Sequence, residues 1–176
     1  MDEDSDDQQQ GPRLKAARHA ANGLLKSANL NVIPIRINDL CKQVSNDFNL
    51  VVEGAGEQVT GKKIDAVTKK MDDGQIFIIY NKDRHVHRMR FSVAHELGHL
   101  YMGHMHGNSS IDLGSENFDE IEANQFAAQI LMPPSILRAD IKSGIKDVDA
   151  LAEKYQVSNL AMWWHIEKSG MLRLLA

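Results

Sequence analysis

The sequence predicts an α+β fold, and three observations carry that prediction. Helix-period apolar spacing recurs near both ends of the chain, two β-rich runs flank an Asp-Gly step in its first half, and no apolar run approaches the ~18 residues of a membrane span. With 176 residues, 43% of them hydrophobic, the chain is long enough for one domain with a substantial core. The formal net charge of −4 misleads, because Asp2, Glu3, Asp4, Asp6 and Asp7 precede the first basic residue and the rest of the chain sums to +1. Net charge therefore argues for neither a nucleic-acid nor a membrane surface. Cys41 is the only cysteine, so no intramolecular disulfide and no cysteine-based zinc cage can form, which fits a reducing, cytoplasmic setting. The acidic, glutamine-rich start also lacks the basic region and apolar stretch of a secretion signal.

Residues 1–12 have no apolar side chain beyond Met1 to offset the entropy of ordering, and read as a disordered acidic tail. From Arg13 to about Ala28, the spacing of Leu14, Ala17, Ala20, Ala21, Leu24 and Leu25 predicts an amphipathic helix. Pro34 interrupts any helix there, and Asn38 or Asp39 is positioned to cap a short helix through Val44, with Cys41 in the core under Leu40 and Val44. Asn49 to Glu53 reads as a strand, after which Gly54, Gly56 and Gly61 mark loops or bulges. Ala66–Thr68 and Gln75–Tyr80 flank Asp72-Asp73-Gly74, a strong hairpin signal, so a small, at least partly antiparallel sheet is expected. Asn81 or Asp83 can cap the next helix, which runs to about Met102. A loop over 107–115 leads to Asn117, whose spacing to Glu120 is that of a capping box, and to a helix from Phe118 to Leu131 that Pro133-Pro134 ends. Short helices over 135–142, 148–155 and 159–168 complete the chain, and 135–176 reads as a helical subdomain packed on a core of 13–134.

The helix before Met102 contains His95-Glu96-Leu97-Gly98-His99. Shuffling this composition would produce such an HExxH roughly twice in a hundred tries, so its context must decide. On a helix the two histidines share a face and both imidazoles can reach one Zn²⁺, with Glu96 beside the remaining coordination position. That is the beginning of a metal hydrolase, and it requires a third protein ligand. The extended motif HExxHxxGxxH would need Gly and His where Met102 and Met105 stand; Gly103 and His106 are each displaced by one residue, about 100° of helix rotation. On the next helix Glu120 and Asn124 share a face, so Glu120 can ligate while Asn124 hydrogen-bonds a ligand histidine. Glu122 lies about 200° around from Glu120, so both cannot ligate from one face. His104 or His106 could also curl back, although His85, His87, His104 and His106 read more simply as solvent-exposed histidines.

Through Arg90-Phe-Ser-Val-Ala-His95-Glu-Leu-Gly-His99-Leu100 and Glu120-Ile-Glu-Ala-Asn-Gln-Phe-Ala-Ala-Gln-Ile-Leu-Met-Pro133, with the strand end Ile-Ile-Tyr-Asn81, the chain resembles the ImmA/IrrE family of zinc metallopeptidases. The likeness extends over about 30 to 170. It implies a zincin-like metallopeptidase core over 13–134, with zinc on His95, His99 and Glu120 and Glu96 as base; Glu122 keeps the third position open. Zn²⁺ on such a set lowers the pKa of its water toward ~7, and Glu96 would take a proton as the water attacks a peptide carbonyl and deliver it to the leaving amine. Tyr80, Arg88, Tyr101, His104 and His106 are candidate donors to the oxyanion. By the same resemblance, the expected activity is site-specific cleavage of a protein regulator, a helix-turn-helix transcriptional repressor.

Leu151 to Trp164 has the outline of a helix-turn-helix, with Ser158 capping its second helix. That helix offers Leu160, Met162, Trp163 and Trp164 instead of basic and amide side chains, so it suits gripping a protein better than reading DNA. This motivates a second expectation, a non-catalytic regulator or toxin component that uses the zincin scaffold to bind a protein partner or DNA.

Overall fold

The computed structural model describes residues 11–104 and 118–176, so the acidic residues 1–10, the 107–115 loop, His106 and the Asn117 cap lie outside the described residues. Helix α1 (Leu14–Ser27) turns Ala17, Ala21, Leu24 and Leu25 into the core, as its spacing predicts. Helix α2 (Ile37–Asp47) corrects the expected cap. It begins after Arg36 without a side-chain cap, Asn38 and Asp39 stand inside its first turn, and it continues three residues past Val44. An acid in the first turn still complements the helix dipole, which is the pull that Asp39 exerts in place of a cap. Cys41 is half-buried and packs against the core at its margin, and burial pushes its thiol pKa up to about 11.

The sheet is mixed. Strand β1 (Leu50–Ala55) runs parallel to β3 (Ile76–Asn81), and β2 (Ala66–Lys70) pairs antiparallel with β3, giving the order β1-β3-β2. The predicted hairpin joins β2 and β3, its turn closed by backbone bonds from the Met71 N–H to Gln75 and from the Gly74 N–H to Met71, and by the Asp73 carboxylate accepting from the Gln75 N–H at 2.9 Å. Gly54 lies within β1, opposite Tyr80, and a four-residue helix α3 (Glu57–Thr60) occupies what reads as loop.

Helix α4 (Val86–Met102) carries the HExxH. Its N-cap is His85, whose ring accepts from the His87 N–H at 3.3 Å, and neither Asn81 nor Asp83 fills that role. Both have other partners: Asn81 ends β3 fully buried and accepts from the Asp83 N–H, while Asp83 accepts from the Glu57 N–H. Gly103, at φ 75°, ends the helix in the left-handed region where glycine is unstrained.

Helices α5 (Phe118–Leu131), α6 (Pro134–Lys142), α7 (Val148–Tyr155) and α8 (Asn159–Lys168) follow the predicted boundaries closely, with a 3₁₀ turn at Leu172–Leu174. Asp147 caps α7, and Ser158 caps α8 by accepting from the Ala161 N–H. Phe126, Ile130, Leu137, Ile141, Leu151, Met162 and Ile166 join the same buried cluster as Leu24, Leu40, Ile78 and Leu97. Among the described residues, no helix is long and apolar enough to cross a membrane.

Candidate metal centre

The centre is built where α4 and α5 come closest. At Gly98 a Cβ would meet the Ala123 Cα at 2.9 Å and its carbonyl oxygen at 3.0 Å, so only glycine lets the two backbones approach this far. The contact brings the second turn of α5 beside the C-terminal half of α4, within reach of both motif histidines.

There the Nε2 atoms of His95 and His99 lie 3.0 Å apart, and each lies 3.1 Å from a different carboxylate oxygen of Glu120. Three potential metal donors, one from each residue, thus face one another within 4.8 Å. Asn124, one turn beyond Glu120, places Oδ1 3.0 Å from Nδ1 of His95, on the side of the ring away from this cluster. Burial, and then the neighbouring His95, lowers the His99 pKa to about 4 and keeps that imidazole neutral, the form that can ligate a metal.

Glu96 projects from α4 toward the sheet, where its carboxylate accepts a short 2.5 Å hydrogen bond from the Thr68 hydroxyl on β2. Burial raises its pKa above the ordinary carboxylate range, and the bond from Thr68 and the nearby His95 moderate that rise. Sequence shows Thr68 only as a strand residue, since nothing local links a threonine on a short strand to a glutamate 28 residues away.

A second polar cluster stands behind His99. The His104 side chain is buried, against the expectation of a solvent-exposed histidine, because the chain leaving α4 turns back at Gly103 and folds the ring beneath the helix end. Its Nδ1 lies 3.1 Å from Nδ1 of His99 and its Nε2 lies 2.9 Å from Glu122. Glu122 points away from Glu120, as the helical period requires, and is only 3% exposed. It accepts from the Arg13 backbone N–H at 2.6 Å and from the Arg13 guanidinium at 2.8 and 3.1 Å. Burial by itself would raise the Glu122 pKa, but hydrogen bonds from the Arg13 side chain, the Arg13 backbone and His104 outweigh it and hold the value down at about 2. His104, Asp119 and Glu122 also have metal-compatible spacing, yet the Arg13 guanidinium already lies against Glu122.

The candidate oxyanion donors are mostly engaged elsewhere. Tyr101 donates to Asp47 and stacks on Phe126, Arg88 donates to Asp65, and His104 faces Glu122; His106 lies outside the described residues. Tyr80 sits on β3 opposite Gly54.

No curated protein sequence matches this one significantly. Among solved structures, one similar to this chain is a Mycobacterium tuberculosis transcriptional regulator, with a TM-score of 0.61 and 14% identity over 83% of this chain and 44% of that one. The chain thus spans less than half the length of that regulator, and the likeness speaks to fold. The sequence profile of the IrrE N-terminal-like domain, Peptidase_M78, matches residues 52–162, an interval that holds the whole sheet hairpin, the HExxH helix and the Glu120 helix. With that match across most of its length, the chain belongs to the IrrE N-terminal-like, Peptidase_M78 family.

Proposed function

We propose that this protein is a zinc-dependent endopeptidase that cleaves a protein regulator at a specific site, the regulator being a helix-turn-helix repressor. The observation that carries the reading is the convergence of His95, His99 and Glu120 donor atoms beside the buried carboxylate of Glu96. The residues fit the ion. Ligands on a tetrahedral zinc with ~2.05 Å bonds stand roughly 3.3 Å apart, close to the 3.0 and 3.1 Å separations here. Two imidazoles and one carboxylate, with no thiolate, are also a donor set that suits hydrolytic zinc and leaves a fourth position free.

Bound there, zinc supplies an acidified water nucleophile and a Lewis acid for the peptide carbonyl. The chain's own residues do the rest. Asn124 and His104 contact the outer nitrogens of His95 and His99 and fix their ring orientations, while Glu122 and Arg13 hold His104 in turn. Glu96, with its pKa raised by burial, is suited to take a proton from the attacking water and pass it to the leaving amine. Thr68 holds the carboxylate in one orientation and limits the rise in its pKa.

Support for the substrate class is indirect: the family is a peptidase family, and the similar solved structure is described as a transcriptional regulator. The test is incubation of the purified, zinc-loaded protein with helix-turn-helix repressors, beginning with the one encoded nearest its gene. Wild type should cut one of them at a single position, and Glu96→Gln should abolish the cut while zinc stays near one per chain. Equal cleavage by Glu96→Gln would refute the mechanism. A second reading, a non-catalytic partner-binding regulator, is favoured by Trp163 and Trp164, which are 45% and 50% exposed on α8. It predicts that Glu96→Gln keeps full biological activity and that substituting either tryptophan removes it.

A further inference from the structure

A groove of about 1420 Å³ runs along the outer face of α5, walled by α1 on one side and α8 on the other. It exceeds the ~300–1,000 Å³ of small-molecule pockets and is open to solvent along its length. It reaches toward the metal centre at Asn124, which lines the groove and also contacts His95. Its floor follows one stripe of α5 through the exposed Ile121 and Asn124 and the half-buried Gln125 and Ala128, the i, i+3, i+4, i+7 spacing that a second helix can lie against. Trp164 forms an apolar wall from α8, half exposed, and Leu14 and Ala161 add to the apolar lining.

The charge on the walls is one-sided. Lys15 and Arg18 line the groove from α1 and Lys168 from α8, whereas among the described residues no aspartate or glutamate lines it. Among the described residues none of these three forms an ion pair; Lys168 instead lies 5.9 Å over the Trp164 ring. Arg13, also on the rim, is already committed to Glu122. At the base Gln129 and His165 are at least nine-tenths buried, and each leaves one polar atom without a hydrogen-bond partner among the described residues.

We propose that this groove is a docking site for an amphipathic helix of the protein substrate, apolar along one stripe and acidic on both flanks. The inference rests on the peptidase reading and adds to it a recognition surface separate from the cleavage centre. An apolar stripe of a helix fits between Trp164 and Ile121, and flanking carboxylates meet Lys15, Arg18 and Lys168 across the two walls. Such a docking site confers selectivity that the zinc ligands cannot, since they see only a peptide carbonyl.

Fluorescence anisotropy tests the proposal on the full-length protein, without requiring cleavage. The probe is a labelled helical peptide about as long as α5 with leucines at i, i+3, i+4 and i+7 and glutamates on both flanks. Two controls carry the same composition scrambled, or lysines in place of the glutamates. The acidic amphipathic peptide should bind at least ~10-fold tighter than either control, and Trp164→Ala and the pair Arg18→Glu/Lys168→Glu should each reduce its affinity by ~10-fold or more. Affinity equal to the scrambled peptide, or unaltered in both variants, overturns the proposal. So does a ~10-fold gain seen only on deleting residues 1–10, which would make the chain's own acidic segment the occupant. Because no step requires zinc or Glu96, peptide binding can fail while repressor cleavage succeeds, and the reverse.

Discussion

Glu120 and Glu122 are two residues apart on one helix and live in opposite environments. Glu120 is about half exposed and faces two histidine Nε2 atoms, with no cation of the protein's own lying against it among the described residues. Glu122 is buried, and the Arg13 guanidinium and His104 occupy both its oxygens. A carboxylate already neutralised by an internal arginine has little to offer a metal, whereas one aimed at two imidazole nitrogens keeps both oxygens available to a cation. The same residue type on the same element thus serves as brace in one case and as proposed ligand in the other. The difference comes from what α1 and α4 bring to each face of α5.

The comparison can be broken at several points. The largest effect is expected from Glu120→Gln, which on the proposed assignment should weaken zinc binding by at least ~100-fold while leaving the apo-protein melting temperature nearly unchanged. Competition with a chromogenic chelator and thermal melts of the metal-free protein measure the two halves. Gly98→Ala should damage both clusters together, since its Cβ would press on the Ala123 backbone and part α4 from α5. A loss of about 1–3 kcal/mol in urea unfolding, together with weaker zinc binding, is the expected result. Unaltered stability would mean the helices can re-pack around a methyl group.

Glu122→Gln should reverse the Glu120 pattern. Stability should fall by about 1–3 kcal/mol as Arg13 and His104 lose a charged partner, but zinc affinity should drop by no more than ~10-fold. If zinc affinity fell as far as in Glu120→Gln, the distinction between brace and ligand would collapse. A pH dependence is expected from His165 on α8. Burial lowers the His165 pKa to about 4, below the ~6.5 of an unfolded chain, because the core disfavours the imidazolium. Above pH ~6.5 the ring is neutral in both states and its stability contribution is intact. Between pH ~6.5 and about 4 the unfolded chain takes up a proton that the folded one resists, so stability declines through that window. Denaturant titrations of metal-free wild type and His165→Gln across this range should show a shallower decline in the variant.

Much of the fold was legible because local rules were strong. Pro133-Pro134 and Ser158 marked helix limits in the last third of the chain, and the Asp-Gly step placed the hairpin. The failures were caps near the sheet. Asn81 and Asp83 are good capping residues in isolation, but the end of β3 and the start of α3 claimed their hydrogen bonds first. His104 departs from its sequence context for a similar reason: polar neighbours in sequence suggest solvent, and the turn at Gly103 carries the ring inward.

The sequence by itself determined that His95 and His99 share a face with Glu96 close by, because a helical period fixes the angles between residues four and one apart. It also determined that Glu120 and Glu122 diverge. Tertiary structure alone decided which of the two meets the histidines, that Arg13 reaches Glu122 across 109 positions, and that Thr68 reaches Glu96 across 28. Periodicity sets directions around one helix axis, but which neighbour stands in each direction depends on the packing of distant segments, here on how closely Gly98 lets α4 approach α5.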